Sequence, residues 1–416
     1  MLRFSTLVNC AALLAVFVAP ADADPNENDW PQWRGATGDN KAAAADVPLI
    51  WGEEENLLWK TPVPGRGHSS PTVRGDYVFL TTADEQQHVQ SILAFDRQSG
   101  KLLWSKQVFE GGMDDKAHRR NTQATPSVAC SDDRLFASFM NDGHVWVLSF
   151  DFTGNELWRA NVGEFASHWG YSASPILYEG NVIIAADHKQ GGYLAAFTQA
   201  SGSPVWTTAR PADPNYPSPI VHHVSGKDQL LMAGLDRIAS YSPKTGKLLW
   251  ETAGVTTECV GTVVVEGDLA FASGGYPGNV TMAVKTDGSG EVVWQNRVKV
   301  YVPSMLTHDG LLYAVTDNGI AYCWDAATGD EQWKKRLGGT FNTSPVLAGD
   351  KIVAACEDGT TYVLATGGAK CQVLAENQLG NEVYATPTFA GNRAYIRYAV
   401  IDGDARQEYL ACIGEK

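Results

Sequence analysis

The chain has 416 residues, a formal net charge of -15 at pH 7 and seven cysteines. That acidic balance argues against nucleic acid or anionic lipid as a partner, because both require clustered positive charge. The cysteines are widely spaced, with no Cys-x-x-Cys pair, and most sit in apolar strand-like context. They are expected to be buried free thiols rather than a disulfide framework, with individual bridges left open.

In chain order, Met1-Leu2-Arg3 leads into an apolar run from Ala11 to Ala19 that is too short to span a bilayer. Residues 1–23 therefore read as a cleavable export signal, with Ala21-Asp22-Ala23 suited to the peptidase and a mature chain from Asp24. Lipidation at Cys10 is disfavoured, since Val8-Asn9 precede it and the apolar run continues beyond it. No later stretch is apolar and long enough to cross a membrane, so the expected location is the periplasm or the exterior.

Residues 24–55 form an N-terminal extension, and from residue 56 to residue 416 one unit recurs. It opens as Ser70-Pro71-Thr72-Val73-Arg74-Gly75-Asp76-Tyr77-Val78-Phe79-Leu80 and closes as Ala94-Phe95-Asp96-Arg97-Gln98-Ser99-Gly100-Lys101-Leu102-Leu103-Trp104. Prolines mark the unit starts at Pro71, Pro126, Pro175, Pro219, Pro303, Pro345 and Pro387. Closing tryptophans stand at Trp59, Trp104, Trp158, Trp206, Trp250, Trp294 and Trp333, with Leu374 in the eighth place. Their spacing of 39 to 54 residues holds four short strands with turns, which is one propeller blade. Alternating runs such as Tyr77-Val78-Phe79-Leu80 favour strands, and no helix is expected after the signal. The last unit ends before an outer strand, whereas Leu57-Leu58-Trp59-Lys60 is an outer strand with no unit before it. The expected fold is therefore an all-β, eight-bladed β-propeller of four-stranded blades, closed by an N-terminal strand that completes the last blade.

The pattern Ala94-x-Asp96-x-x-Ser99-Gly100-x-x-x-Trp104, matched by Thr328-Gly329 with Trp333 and Thr245-Gly246 with Trp250, resembles the docking motif of quinoprotein-like propellers built from PQQ-like repeats. The resemblance implies that each tryptophan packs on the neighbouring blade. The segment Asp29-Trp30-Pro31-Gln32-Trp33-Arg34-Gly35 resembles the start of a group of exported bacterial propellers. In fold and size the chain is also similar to the propeller lipoprotein of the outer-membrane protein assembly machine. Departures include Thr198 and Ser242 in place of the aspartate, and Leu374 in place of the aromatic.

Loops that lead into inner strands, together with turns between second and third strands, share one face around the channel mouth. The candidate ligand-binding set on that face is His68, His118, Arg119, Arg120, Asn121, His168, Trp169, Tyr171, His188, Tyr216, Tyr301, Asn342 and Tyr384, with Arg66 nearby. The long loop Ser105 to Gln123 is the leading feature, because it sets cations in an acidic protein and long loops on rigid scaffolds concentrate function. No metal site is assigned, since no His-x-x-x-His spacing occurs and adjacent His222-His223 on a strand would face opposite ways.

Three functions compete. The first is a non-catalytic, monomeric binding scaffold for a protein, glycan or small anionic ligand. A dehydrogenase of alcohols or sugars using pyrroloquinoline quinone with calcium is the second, although no adjacent-cysteine pair or Cys-x-x-Cys-His haem motif is present. The third is a polysaccharide-active enzyme with carboxylates drawn from Glu110, Asp114, Asp115 and Glu164.

Overall fold

The computed structural model describes residues 28–42, 45–114, 118 and 120–415. The expected signal, Cys10, Asp115 and Arg119 lie outside these residues. Among the described residues there is no helix, and the strands form eight blades, each built on a four-stranded antiparallel sheet whose strands, blade eight excepted, run in sequence order from the channel outward. Blade one runs Thr72–Arg74, Tyr77–Asp84, Val89–Asp96 and Leu102–Glu110.

Closure follows the expected route. Blade eight takes Thr388–Ala390, Arg393–Asp402 and Ala405–Ile413 from the C-terminal part and Leu57–Val63 from the N-terminal part. Leu57 pairs with Ile413 and Val63 with Glu408, antiparallel, so the first and last parts of the ring share one sheet. The main unpaired seam of an open ring is removed this way.

The hydrophobic core lies between blades. Leu80, Leu93 and Phe95 of blade one pack in one cluster with Tyr395, Ile396 and Tyr398 of blade eight. Phe136 and Val147 of blade two join Ile183 and Leu194 of blade three. Each such side chain contributes roughly 1.5–3 kcal/mol by leaving water.

The closing tryptophans lock adjacent blades. Trp59 Nε1 donates to the Arg97 carbonyl at 3.2 Å, Trp104 to Phe152 at 2.9 Å, and Trp158 to Gln199 at 2.9 Å. Trp206, Trp294 and Trp333 reach Pro243, Ala326 and Gly367 in the same manner. The receiving turn needs glycine twice over: Gly100 has φ +71°, and a Cβ there would overlap the Trp59 ring. Asp96 shapes that turn by accepting from the Ser99 N–H and hydroxyl, which hold its carboxyl below the ordinary carboxylate range. Trp250 departs from the pattern, donating instead to Gln229 Oε1 at 2.6 Å, while Gln229 Nε2 reaches the Thr286 carbonyl of the next blade at 2.9 Å. Leu374, lacking a donor, packs on apolar side chains alone. The six cysteines among the described residues are free, five of them buried. Burial pushes the Cys259, Cys323 and Cys412 thiols up to about 12.

The N-terminal extension does more than deliver the latch. Its Asn28–Ala42 portion crosses the channel and touches every blade. Trp30 exchanges backbone hydrogen bonds with Val73 at 2.8 and 3.0 Å, Pro31 O accepts from Cys130 N at 2.7 Å, and Gln32 Oε1 accepts from Leu177 N at 3.0 Å. Trp33 Nε1 donates to Thr262 Oγ1 at 3.0 Å, and Arg34 Nη2 donates to the Met305 carbonyl at 3.1 Å. Gly38 lies against Ile220, and Asn28 lies against Gly391. Lys41–Ala42 then runs parallel to Val346–Ala348 as a fifth strand on blade seven. Innermost strands otherwise present unpaired backbone groups to the channel, and this plug satisfies several of them.

Candidate functional site

With the plug below, the upper part of the channel is a cavity of about 440 Å³. Its aromatic walls come from loops of different blades: His68, Trp169, Tyr216, Tyr301 and Tyr384, with Trp33 of the plug at the base. Arg120, Asn121, Lys299, Asp317 and Asn342 supply polar and charged groups.

Eight of the thirteen expected residues line this cavity: His68, Arg120, Asn121, Trp169, Tyr216, Tyr301, Asn342 and Tyr384. His118 supports them from behind, its ring 4.0 Å from that of Trp169, and His118 N donates to the His168 carbonyl at 3.0 Å. Asn121 Nδ2 donates to the Trp169 carbonyl at 2.5 Å. The long loop of blade two is thus docked on the loop before blade three. His168 opens on a neighbouring groove with Asp114 and Lys189. Tyr171 and His188 point elsewhere: both are buried against Phe165, at 5.3 and 5.5 Å between ring centroids. The physical reason is local apolar packing, which takes these two rings into the interface between blades. Arg119 lies outside the described residues.

The electrostatics are set by burial. His68 stacks on Tyr384 at 4.3 Å, and its Nε2 is enclosed without a hydrogen-bond partner among the described residues. Desolvation, then Arg66, Arg397 and Arg406, hold the imidazole well below its ordinary pKa, so it is neutral at pH 7. Behind it Arg397 is itself buried, donating through Nε to Glu408 Oε2 at 2.7 Å and through Nη1 to Ser69 Oγ at 2.9 Å. Burial, then Glu258, raises the Tyr301 phenol, whose hydroxyl donates to Glu258 Oε2 at 3.0 Å. Burial also raises Glu357, which accepts from Asn342 Nδ2.

A ring of hydroxyls, one per blade, encircles the cavity. Ser70 N donates to Ser127 Oγ at 2.9 Å, Ser127 N to Ser174 Oγ at 3.0 Å, and Ser174 N to Ser218 Oγ at 2.9 Å. On the other side Thr262 N donates to Ser304 Oγ at 2.9 Å, Ser304 N to Ser344 Oγ at 2.9 Å, and Ser344 N to Thr386 Oγ1 at 3.0 Å. Sequence reading found the unit prolines but passed over these hydroxyls. Ser70, Ser174, Ser218, Ser344 and Thr386 stand directly before a proline, whereas Ser127 and Ser304 follow one, so the signal was present with the proline shifted by two residues in two units. Trp33, Lys299 and Asp317 were also missed, since nothing local marks them as channel-facing.

Of the carboxylates considered for polysaccharide chemistry, Asp115 lies outside the described residues, and Glu110, Asp114 and Glu164 do not meet at the cavity. Glu110 and Glu164 end the outer strands Leu102–Glu110 and Glu156–Glu164, and Asp114 lies in the neighbouring groove. Among the described residues no three His, Cys, Asp or Glu side chains gather as a cation site. Asp317, the one carboxylate lining the cavity among them, accepts from Tyr301 N at 2.9 Å and Val302 N at 3.0 Å, one bond to each oxygen.

Comparison with known proteins gives a consistent pattern. The family described as outer membrane protein assembly factor BamB matches residues 49–146, 89–335 and 278–404. BamB of Moranella endobia is 24% identical over 348 residues, covering 79% of this chain and 82% of its own. BamB from Moraxella catarrhalis superposes with a TM-score of 0.59 at 16% identity, covering 85% of this chain and 96% of its own. A europium-containing methanol dehydrogenase superposes with a TM-score of 0.71 at 12% identity, covering 93% and 98%. At that identity the dehydrogenase likeness is one of fold.

Proposed function

Because this chain belongs to the family described as outer membrane protein assembly factor BamB, we propose that it is an exported, non-catalytic propeller whose channel-mouth face holds a protein or ligand. The observation that carries the reading is the cavity itself, where loops from separate blades set aromatic and charged side chains on a rigid ring closed below by the plug. Preorganised loops on a stiff scaffold bind without the ordering cost that mobile loops incur.

The dehydrogenase reading is supported only by fold. Pyrroloquinoline quinone with calcium finds little to hold it among the described residues: no carboxylate cluster faces the cavity, and each oxygen of Asp317, the one carboxylate lining it, already accepts a backbone N–H. The reading therefore takes no cofactor.

The test is a photo-crosslinking amino acid placed at position 169 or 299 on the mouth, compared with position 334 on the outer perimeter, in cells that export the chain. Discrete adducts at the mouth positions are expected, with none at position 334. Adducts only at the perimeter would overturn the reading. Titration with pyrroloquinoline quinone and calcium is expected to show no saturation; saturable binding with reduction of an electron-accepting dye on alcohols would restore the dehydrogenase.

A further inference from the structure

We propose that the base of the channel-mouth cavity is an oxyanion site, taking the carboxylate, phosphate or sulfonate end of a ligand. This deepens the binding reading above and rests on it.

The argument begins with unspent protons. A hydroxyl carries one proton and two acceptor lone pairs. Ser127, Ser174, Ser218, Ser304, Ser344 and Thr386 each accept a backbone N–H from the preceding blade at 2.9–3.0 Å. That bond uses a lone pair and leaves the proton. No acceptor for it is found among the described residues, although each of these residues is at least nine-tenths buried. Every one of them faces the same cavity. Propeller symmetry thus repeats one local geometry around the channel and converges a set of like donors on a single lumen. Buried donors without acceptors are costly, and an oxyanion satisfies several at once through charge-assisted bonds.

The charged groups agree with that polarity. Arg120 and Lys299 line the cavity, in a protein whose overall balance is acidic; Arg120 is partly offset by Glu357, whose carboxyl it helps to hold down. Lys299 Nζ sits 4.8 Å from the centre of the Tyr301 ring, held over the lumen. Asp317 opposes an anion less than its charge suggests, because two backbone N–H groups already stabilise it. Of the two hydroxyls left, Thr262 Oγ1 accepts instead from Trp33 Nε1, so the plug closes the site beneath the anion.

The experiment is calorimetric titration of the full mature chain with phosphate, methanesulfonate and acetate at constant ionic strength, with glucose as a neutral polyol control. Saturable millimolar binding of the oxyanions, and none of glucose, is expected. A double variant Ser174→Ala/Ser344→Ala should weaken phosphate binding about tenfold, and Ser174→Thr/Ser344→Thr, which keeps both hydroxyls, should restore it. Lys299→Met leaves the ring intact and should weaken phosphate more than acetate. Preference for glucose, or oxyanion binding unchanged in both the alanine pair and Lys299→Met, would overturn the site. Mouth-specific crosslinks without oxyanion binding would sink this inference alone and leave the broader reading standing.

Discussion

At the scale of single residues, the channel wall contains histidines, His68 in the cavity and His222 on an inner strand, that burial keeps neutral at pH 7. His222 is pushed down to about 4 by burial, with Arg34 and Lys41 adding to the effect and Asp39 opposing it. In the unfolded chain it takes a proton near pH 6.5. The unfolded state therefore binds more protons between about pH 6.5 and 4, and native stability falls as pH drops through that window. Above pH 6.5 both states are neutral and the term vanishes. The slope has a ceiling of about 1.4 kcal/mol per pH unit for one histidine. Melting curves at pH 6.5 and 5.5, above the main carboxylate range, should show the loss, and His222→Gln should shrink it. An equal fall in parent and variant would mean that His222 is not the group responsible. His223, its neighbour on the strand, points outward to Asp228 at 2.7 Å, as the alternation of a strand requires.

At the scale of elements, the outer-strand tryptophan and the glycine of the next blade act as one joint. Trp59→Ala removes ring packing and a hydrogen bond at the seam between blades eight and one, and should cost about 2–4 kcal/mol, somewhat below a fully buried aromatic. Gly100→Ala should cost at least as much, since its Cβ would meet that ring. Gly75→Ala is the control: φ is +54° but nothing lies within 4 Å of the added Cβ, so only backbone strain of about 1 kcal/mol is expected. Denaturant unfolding separates these cases, and equal losses at Gly75 and Gly100 would refute the joint. Such pairs were readable in the sequence because the motif repeats them at a fixed spacing. Tyr171 and His188 were misplaced because neighbours in a loop share a position along the chain without sharing a direction. Phe165 draws both rings inward, and nothing in their immediate sequence announces that packing.

At the scale of the molecule, the ring is held by two devices from one N-terminal stretch: the latch Leu57–Val63 and the plug across the channel. They can be separated. A chain beginning at Asp46 keeps the latch and loses the plug, freeing backbone groups of several inner strands and emptying the space held by Trp30, Trp33 and the buried Arg34. It should melt at least 5 °C below a chain beginning at Asp24 and be cleaved faster by protease, given several lost hydrogen bonds of roughly 1 kcal/mol each. A chain beginning at Pro64 should fall further, because blade eight then lacks its outer strand. Identical melting of the first two would show that the plug adds nothing to closure.

The sequence by itself determined the period, the strand content, the count of eight and the route of closure, because each follows from residues repeated along the chain or from an element without a partner. It also named the aromatic residues that loops of different blades bring to the cavity, since unusual loop residues at equivalent places in different units lie around one mouth. Only the tertiary structure decided that Asp29-Trp30-Pro31-Gln32-Trp33-Arg34-Gly35 is a plug, and that eight ordinary serines and threonines form a ring. Those two facts depend on rotation about a common axis, which brings positions some 40 residues apart within hydrogen-bonding distance. Local sequence carries the blade; the convergence of blades carries the site.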